Sequence, residues 1–125
     1  MNASPKWMKI AGLVCHVLVG GLMLVACGLK ATGKMPMPPE VVEQMTKVGV
    51  YDKLQMIGIG GVISAILLLI PRTSFLGSLA VSSYWGGAIL LHMIQNESYV
   101  LQSALVLLTW AGAGLRHPAA FLNRA

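Results

Sequence analysis

Four stretches of this chain carry no formal charge. Residues 10–29, 54–71, 73–96 and 98–115 contain no Asp, Glu, Lys or Arg. A hydrocarbon layer about 30 Å thick is crossed by a helix of ~17–25 apolar residues, and each stretch falls in that range. Together they make up most of the 125 residues. A water-soluble domain would have to bury all four, and small domains bury the smallest fraction of their surface. The composition agrees. Apolar residues are 56% and charged residues 10%, against ~45–50% and ~25% in ordinary soluble domains, and the mean hydropathy is +0.73. These values exclude a disordered chain and weigh strongly against a soluble enzyme. The net charge of +5 does not point to nucleic acid. The basic residues stand at the ends of the apolar runs and in one loop, with no basic helix or aromatic–basic interleaving. Membrane proteins keep Lys and Arg in such places, beside lipid headgroups.

The expected architecture is all-α: a transmembrane four-helix bundle with a short amphipathic surface helix between helices 1 and 2, forming one membrane domain over residues 1–125. The spans are expected at about 10–29, 54–70, 75–94 and 99–115. Lys6, Trp7 and Lys9 anchor the start of the first span, and Lys30 and Lys34 mark its end. Pro71-Arg72 stops the second, Asn96-Glu97 the third, and Arg116-His117-Pro118 the fourth. The connections after the second and third spans are short, so those helices are antiparallel neighbours. Residues 31–39 are turn-forming. In the surface segment, about 39–53, Val41, Val42, Met45 and Val48 alternate with Glu43, Gln44 and Lys47. That pattern suits a helix lying on the membrane surface. Lys6, Lys9, Arg72, Arg116 and Arg124 share one side with no acid, whereas all four acids and the other four lysines lie opposite. The positive-inside bias therefore places both termini in the cytoplasm, in a multi-pass protein of the cytoplasmic (inner) membrane.

Helical spacing puts polar and small residues on one stripe per helix. The first span aligns His16, Gly20, Met23, Cys27 and Lys30, and the second aligns Gln55, Gly58, Gly61 and Ala65 beside Ser64. The third aligns Tyr84, Ala88, His92 and Gln95, with a second row of Ser78, Ser82 and Gly86. The fourth aligns Gln102, Thr109 and Arg116. Lipid offers polar groups no partner, so these stripes should face inward, and small residues let helix backbones approach. By depth, Ser64, Tyr84 and Thr109 fall near the midplane. Lys30, Asp52, Gln55, His92, Gln95, Glu97 and Gln102 gather within about two turns of the face opposite the termini.

That gathering is the candidate ligand site: Lys30, Gln55, Tyr84, His92, Gln95 and Gln102, with Glu97 nearby and Tyr84, Trp85 and Trp110 as aromatic walls. A cation, an imidazole and several amides suit a polar head whose tail lies in lipid, as in a quinone, and an imidazole exchanges protons near neutral pH. The same residues also fit plain helix packing and headgroup anchoring. No metal site is expected. His16 and His92 lie ~12 and ~27 Å from one face, and neither has a further ligand at suitable spacing. Cys15 and Cys27 are ~18 Å apart along one helix, too far for a disulfide. Leu24-Val25-Ala26-Cys27 also resembles a lipoprotein processing box, which would make residues 1–26 a removed signal and Cys27 a lipidated terminus. Three further spans would make such an anchor redundant. The Asn96-Glu97-Ser98 sequon is pressed against the membrane and is discounted.

Taken together, "GLMLVACGLKATG", "KVGVYDKLQMIGIGGVISAILLLIPR", "YWGGAILLHMI" and "GLRHP", in this order, resemble the DoxX-like family of small four-helix membrane proteins. The matching features are Gly28 and Lys30 closing the first helix, Gly49 after the surface helix, and the Pro71-Arg72 stop. Gly87-Ala88 with His92 and the closing Leu115-Arg116-x-Pro118 complete them. The resemblance implies a bundle in the cytoplasmic membrane, among relatives that include subunits of thiosulfate:quinone oxidoreductase, a component of thiol and oxidant defence, and an animal receptor chaperone. It implies no settled catalytic residues. The chain has no haem ligand pair, cluster cysteines or dinucleotide motif of its own, so catalytic residues are unassigned and electrons would come from elsewhere. The leading expectation is a quinone-interacting or partner-docking subunit of a membrane oxidoreductase system. A non-catalytic assembly or chaperone protein is the alternative, and a small-solute transporter ranks last. The expected partners are the lipid bilayer and a membrane or peripheral oxidoreductase. A homo-oligomer is allowed, and nucleic acid is not expected.

Overall fold

Proline and glycine punctuate the chain where the sequence places them. The computed structural model describes residues 5–121; Arg124, counted above among the basic residues of the terminal side, lies outside them. Helix α1 (Lys6–Ala31) starts after Pro5, and α2 (Pro39–Lys47) has Pro39 at its first position with Glu40 in its first turn. Proline costs nothing there, because the first amides have no helical partner, and the carboxylate suits the positive end of the dipole. A 3-10 turn (Tyr51–Lys53) leads into α3 (Leu54–Leu69). Pro71 forces Ile70 into extended backbone and ends that helix. After a turn at Pro71–Thr73 come α4 (Ser74–Ile94), α5 (Val100–Arg116) and a final turn at Pro118–Ala120. The surface segment expected at 39–53 is divided at Gly49, whose φ of +77° needs a residue without a Cβ.

The protein is an all-α transmembrane bundle of four long helices with the short amphipathic α2 between the first two. Three segments, Lys6–Ala31, Tyr51–Leu69 and Pro71–Ile94, are long and apolar enough to cross a membrane. Helix α5, with 17 residues, is at the short end of the spanning range. In each of those three segments no more than 33% of an apolar 18-residue stretch is buried inside the bundle. The rest presents large apolar side chains outward, among them Leu18, Val25, Ile63, Leu90 and Leu107. Water does not tolerate apolar surface on that scale; acyl chains do.

The helices pack in the ring order α1, α3, α4, α5, and the two diagonal pairs make no close backbone approach. Val19, Met23, Cys27, Ala65, Leu68, Val81, Trp85 and Leu105 form the core. The inward stripes on α1 and α3 follow the expected residues, except that Gln55 is exposed. On α4 the inward row is Ser74, Gly77, Ser78, Val81 and Trp85, and Gly86 faces outward. The bulk of the Trp85 indole takes the interior at that level and turns Gly86 toward lipid. Two glycines set the closest approaches. A Cβ on Gly58 would overlap the α1 backbone at Cys27 and Ala31, and one on Gly77 would overlap the α3 backbone at Leu67 and Leu68. Cys27 itself is fully buried with its thiol against Gly61, so lipidation there would require α1 to leave the bundle.

The end carrying the termini is closed by polar atoms. His16, fully buried, donates Nε2–H to the Thr109 carbonyl at 2.9 Å and accepts Arg116 Nη1–H at Nδ1, also at 2.9 Å. This pairing assigns the neutral tautomer, since Nδ1 faces a donor. Arg116 also donates to the Leu68 carbonyl at 3.3 Å. Among the described residues no carboxylate pairs with it. His117 Nε2 lies 2.5 Å from Ser74 Oγ. Around this end Trp110 meets Phe75 and Phe121 edge-on and Phe75 and Phe121 lie tilted to each other, at centroid distances of 5.8–6.2 Å.

Two outcomes follow. Gly77→Ala should destabilise the bundle by ~1–3 kcal/mol, because the added methyl meets backbone. Gly86→Ala should be neutral or stabilising by up to ~1 kcal/mol; thermal unfolding in detergent separates the two. The second outcome concerns pH. Burial, and then the nearby Arg116 guanidinium, hold the His117 imidazole below its ordinary value. The folded group resists a proton that the unfolded chain accepts. Its effect is therefore absent above the unfolded pKa of ~6.5, and stability is lost as pH falls below that value, levelling off once the folded group also protonates. Tm should fall between about pH 8 and about pH 5, and His117→Gln should lessen the fall.

Candidate functional site

At the opposite end, where the loops gather, a cavity of about 760 Å³ opens between α3 and α4. Small residues leave room in its walls, Gly60 and Ser64 from α3 and Ala80, Ser83, Gly87 and Ala88 from α4, beside larger apolar ones such as Ile57, Leu91 and Trp85. A Cβ placed on Gly60 or Gly87 would meet nothing within 4 Å. These glycines therefore differ in kind from Gly58 and Gly77: they leave room beside the helices instead of joining them. Met45, Val48 and Val50 line the cavity from the α2 side. Helix α2 buries none of its residues and packs only against the turn that follows it. The volume lies within the ~300–1,000 Å³ typical of small-molecule sites.

The polar side chains of this cavity come from all four long helices, α3 contributing Ser64. Lys30 from α1 donates Nζ–H to the Tyr84 hydroxyl on α4 at 3.0 Å, across the bundle diagonal. The sequence folds this way because Gly58 and Gly61 bring α3 against the last turns of α1, and Gly61 leaves space between the Cys27 thiol and the Tyr84 ring. Tyr84 and Trp85 meet edge-to-face at 5.1 Å. The Trp85 indole N–H is buried without an acceptor. An indole nitrogen can only donate, and a buried unmade hydrogen bond costs ~1–3 kcal/mol. Further along α4, His92 Nε2 accepts from the Gln102 amide of α5 at 3.2 Å, and Gln102 Oε1 is buried without a partner. His92 Nδ1 lies 3.3 Å from Glu97 Oε1, close enough for attraction but not aligned as a hydrogen bond.

Lys30, Tyr84, His92 and Gln102 thus share one cavity. Gln55 and Gln95 stand outside it. Gln55 is exposed, donates to the Ala31 carbonyl at 3.0 Å, and lines a second hollow of about 400 Å³ with Lys30, Tyr51 and Asp52. Gln95 caps α4 and lines neither. Of the three residues expected at the midplane, Ser64 and Tyr84 line the cavity, while Thr109 faces His16. Trp110, expected as an aromatic wall, packs at the far end against Phe75 and Phe121. Sequence reasoning missed the free Trp85 donor and the small-residue wall. The Gly60/Gly87 pair carried no signal that separated space-leaving from contact-making glycines.

The chain belongs to the DoxX-like family, whose model matches residues 14–114. Comparison with curated proteins and with solved structures returns no match.

Glu97 reaches His92 because α4 ends in a tight cap. Asn96 takes φ +57°, its N–H bonds the Met93 carbonyl at 3.1 Å, and Glu97 N–H bonds the His92 carbonyl at 2.8 Å. Gly33 and Gly49 end α1 and α2 in the same way. Asn96→Gly should keep the turn and leave stability within ~0.5 kcal/mol, whereas Asn96→Val should cost ~1–2 kcal/mol. Thermal unfolding of the two variants checks this.

Proposed function

We propose that this member of the DoxX-like family is a multi-pass protein of the cytoplasmic membrane that binds a quinone in the lipid-facing cavity, as the quinone-handling or partner-docking subunit of a membrane oxidoreductase. The observation that carries this reading is the cavity between α3 and α4 lined by Lys30, Tyr84 and Trp85, in which the Lys30 ammonium and the Tyr84 hydroxyl are linked at 3.0 Å among largely apolar walls. A ligand there has to bring hydrogen-bond acceptors on its head and apolar surface on the remainder. A fatty acid would also satisfy Lys30. However, the cavity holds the neutral donors and acceptors of Tyr84 and Gln102 beside its one cation, which favours a neutral head with separated acceptors. Two carbonyls on a flat ring meet that demand, and the Tyr84–Trp85 pair offers the ring an aromatic wall. An isoprenoid tail would run out between α3 and α4 along Gly60 and Gly87. Electrons would come from a partner, since the sequence has no ligand set for a redox centre of its own. The basic residues of the terminal side support cytoplasmic termini, which would put the cavity in the outer half of the membrane.

Binding of decylubiquinone, followed by quenching of tryptophan fluorescence in detergent, tests this. Gly60→Leu and Gly87→Leu should each weaken binding by at least about tenfold while the protein stays folded, because both side chains enter empty space. Lys30→Met should weaken it by roughly tenfold, about 1.4 kcal/mol. Gly86→Leu, one residue away but facing outward, should change nothing. Equal affinity in both cavity-filling variants, or tighter binding of oleate than of the quinone, would remove the proposal.

A further inference from the structure

A quinone-class head group gains or loses protons whenever it is reduced, oxidised or ionised. A site for one inside a membrane therefore needs a route by which protons reach water. The α4–α5 turn contains groups suited to that task. The Glu97 side chain is 42% exposed and His92 is 30% exposed, so the carboxylate reaches water while the ring lies at the cavity that it lines with Gln102. We propose that Glu97, His92 and Gln102 form a proton port joining the cavity to the aqueous phase. The inference rests on the cavity being the site of such a head group.

The groups lie within reach of one another, and a small turn of the ring or carboxylate would bring His92 Nδ1 and Glu97 Oε1, now 3.3 Å apart, into line for transfer. Gln102 donates to the lone pair on His92 Nε2, so the ring's own hydrogen is on Nδ1, on the side of Glu97. A ligand hydroxyl that displaces the amide and gives its proton to Nε2 releases the Nδ1 proton to the Glu97 carboxylate, which passes it to water. The O–H bond of the ligand breaks, an N–H bond forms at Nε2, and the Nδ1–H bond breaks. The ring ends neutral as the other tautomer, and no electrons are exchanged. The reverse path delivers a proton. The unpartnered Gln102 Oε1 has a place in this scheme. Once Nε2 carries hydrogen, turning the amide over presents Oε1 as its acceptor, so one amide serves both tautomers. The groups facing the ring are Glu97 from the turn and Gln102 from α5, with Lys30 of α1 and Tyr84 of α4 on the same cavity. Neither α2 nor α3 contributes a charged side chain to its lining. Lys30 is placed to hold the oxygen left ionised.

Glu97 is thus a positioning and relay residue and does not line the cavity. The test uses a hydroxynaphthoquinone with a prenyl tail, whose visible absorbance changes when its hydroxyl ionises. The full chain in lipid nanodiscs is saturated with this probe and subjected to a pH jump in a stopped-flow cell. Glu97→Gln should slow ionisation of the bound probe by about 100-fold or more, the low end of what a positioned acid–base group contributes. Its affinity for the probe should be retained, and added formate should restore the rate. Ionisation as fast in Glu97→Gln as in the parent protein overturns the port, as does slowing that formate does not relieve. Failure of the parent protein to bind the probe or decylubiquinone overturns the quinone reading itself, and the port with it.

Discussion

A cation inside a bilayer is tolerable only where protein atoms face it, and this bundle meets that demand twice, once across each diagonal. Lys30 reaches from α1 to the Tyr84 hydroxyl on α4. Arg116 reaches from α5 to the Leu68 carbonyl on α3, accompanied by His16. The diagonal helices do not approach through their backbones, so these long side chains are what ties opposite corners together. The two ties differ in consequence. The arginine shares its Nη1 between His16 and the Leu68 carbonyl, and both nitrogens of His16 are paired. The lysine makes one such bond and lines two hollows. One end of the molecule is closed and the other keeps space open.

Glycine placement explains how a ring of four helices achieves this difference. At Gly58 and Gly77 the missing side chain lets one backbone press on another, which tightens α3 against α1 and α4. At Gly60 and Gly87 the missing side chain is simply room. Close approach in membranes relies on van der Waals packing, since lipid tails are as apolar as the helices they surround. A few such contacts therefore hold the ring while the gap between α3 and α4 stays open.

Much of this architecture was legible in the sequence, because charge is the one property a bilayer polices strictly. The four uncharged runs gave the helices, and the turn-forming residues 31–39, Pro71-Arg72 and Asn96-Glu97 gave ends to three of them, whereas the break at Gly49 divides a surface segment expected to run on to residue 53. Helical spacing brought out the inward faces of α1 and α3, including His16 and Cys27. Spacing failed where side-chain volume decided: the choice between Gly86 and Trp85 as the inward residue on α4 depends on which fills the interior. It failed again for Gln55 and Gln95, since depth in the membrane says nothing about the side of the helix on which a residue lies. The pairing of Arg116 with His16 joins residues a hundred positions apart. No local pattern foretells it, although the absence of any acid on that side of the sequence already required a neutral partner for the arginine.

The cavity lies between two spanning helices, α3 and α4, with the exposed Gly60 and Gly87 in its lining. A guest would arrive by two-dimensional diffusion, never crossing the layer of phosphates. The concentration that governs occupancy is then a mole fraction among lipids, so that the same amount of guest fills fewer molecules as the surrounding membrane is enlarged.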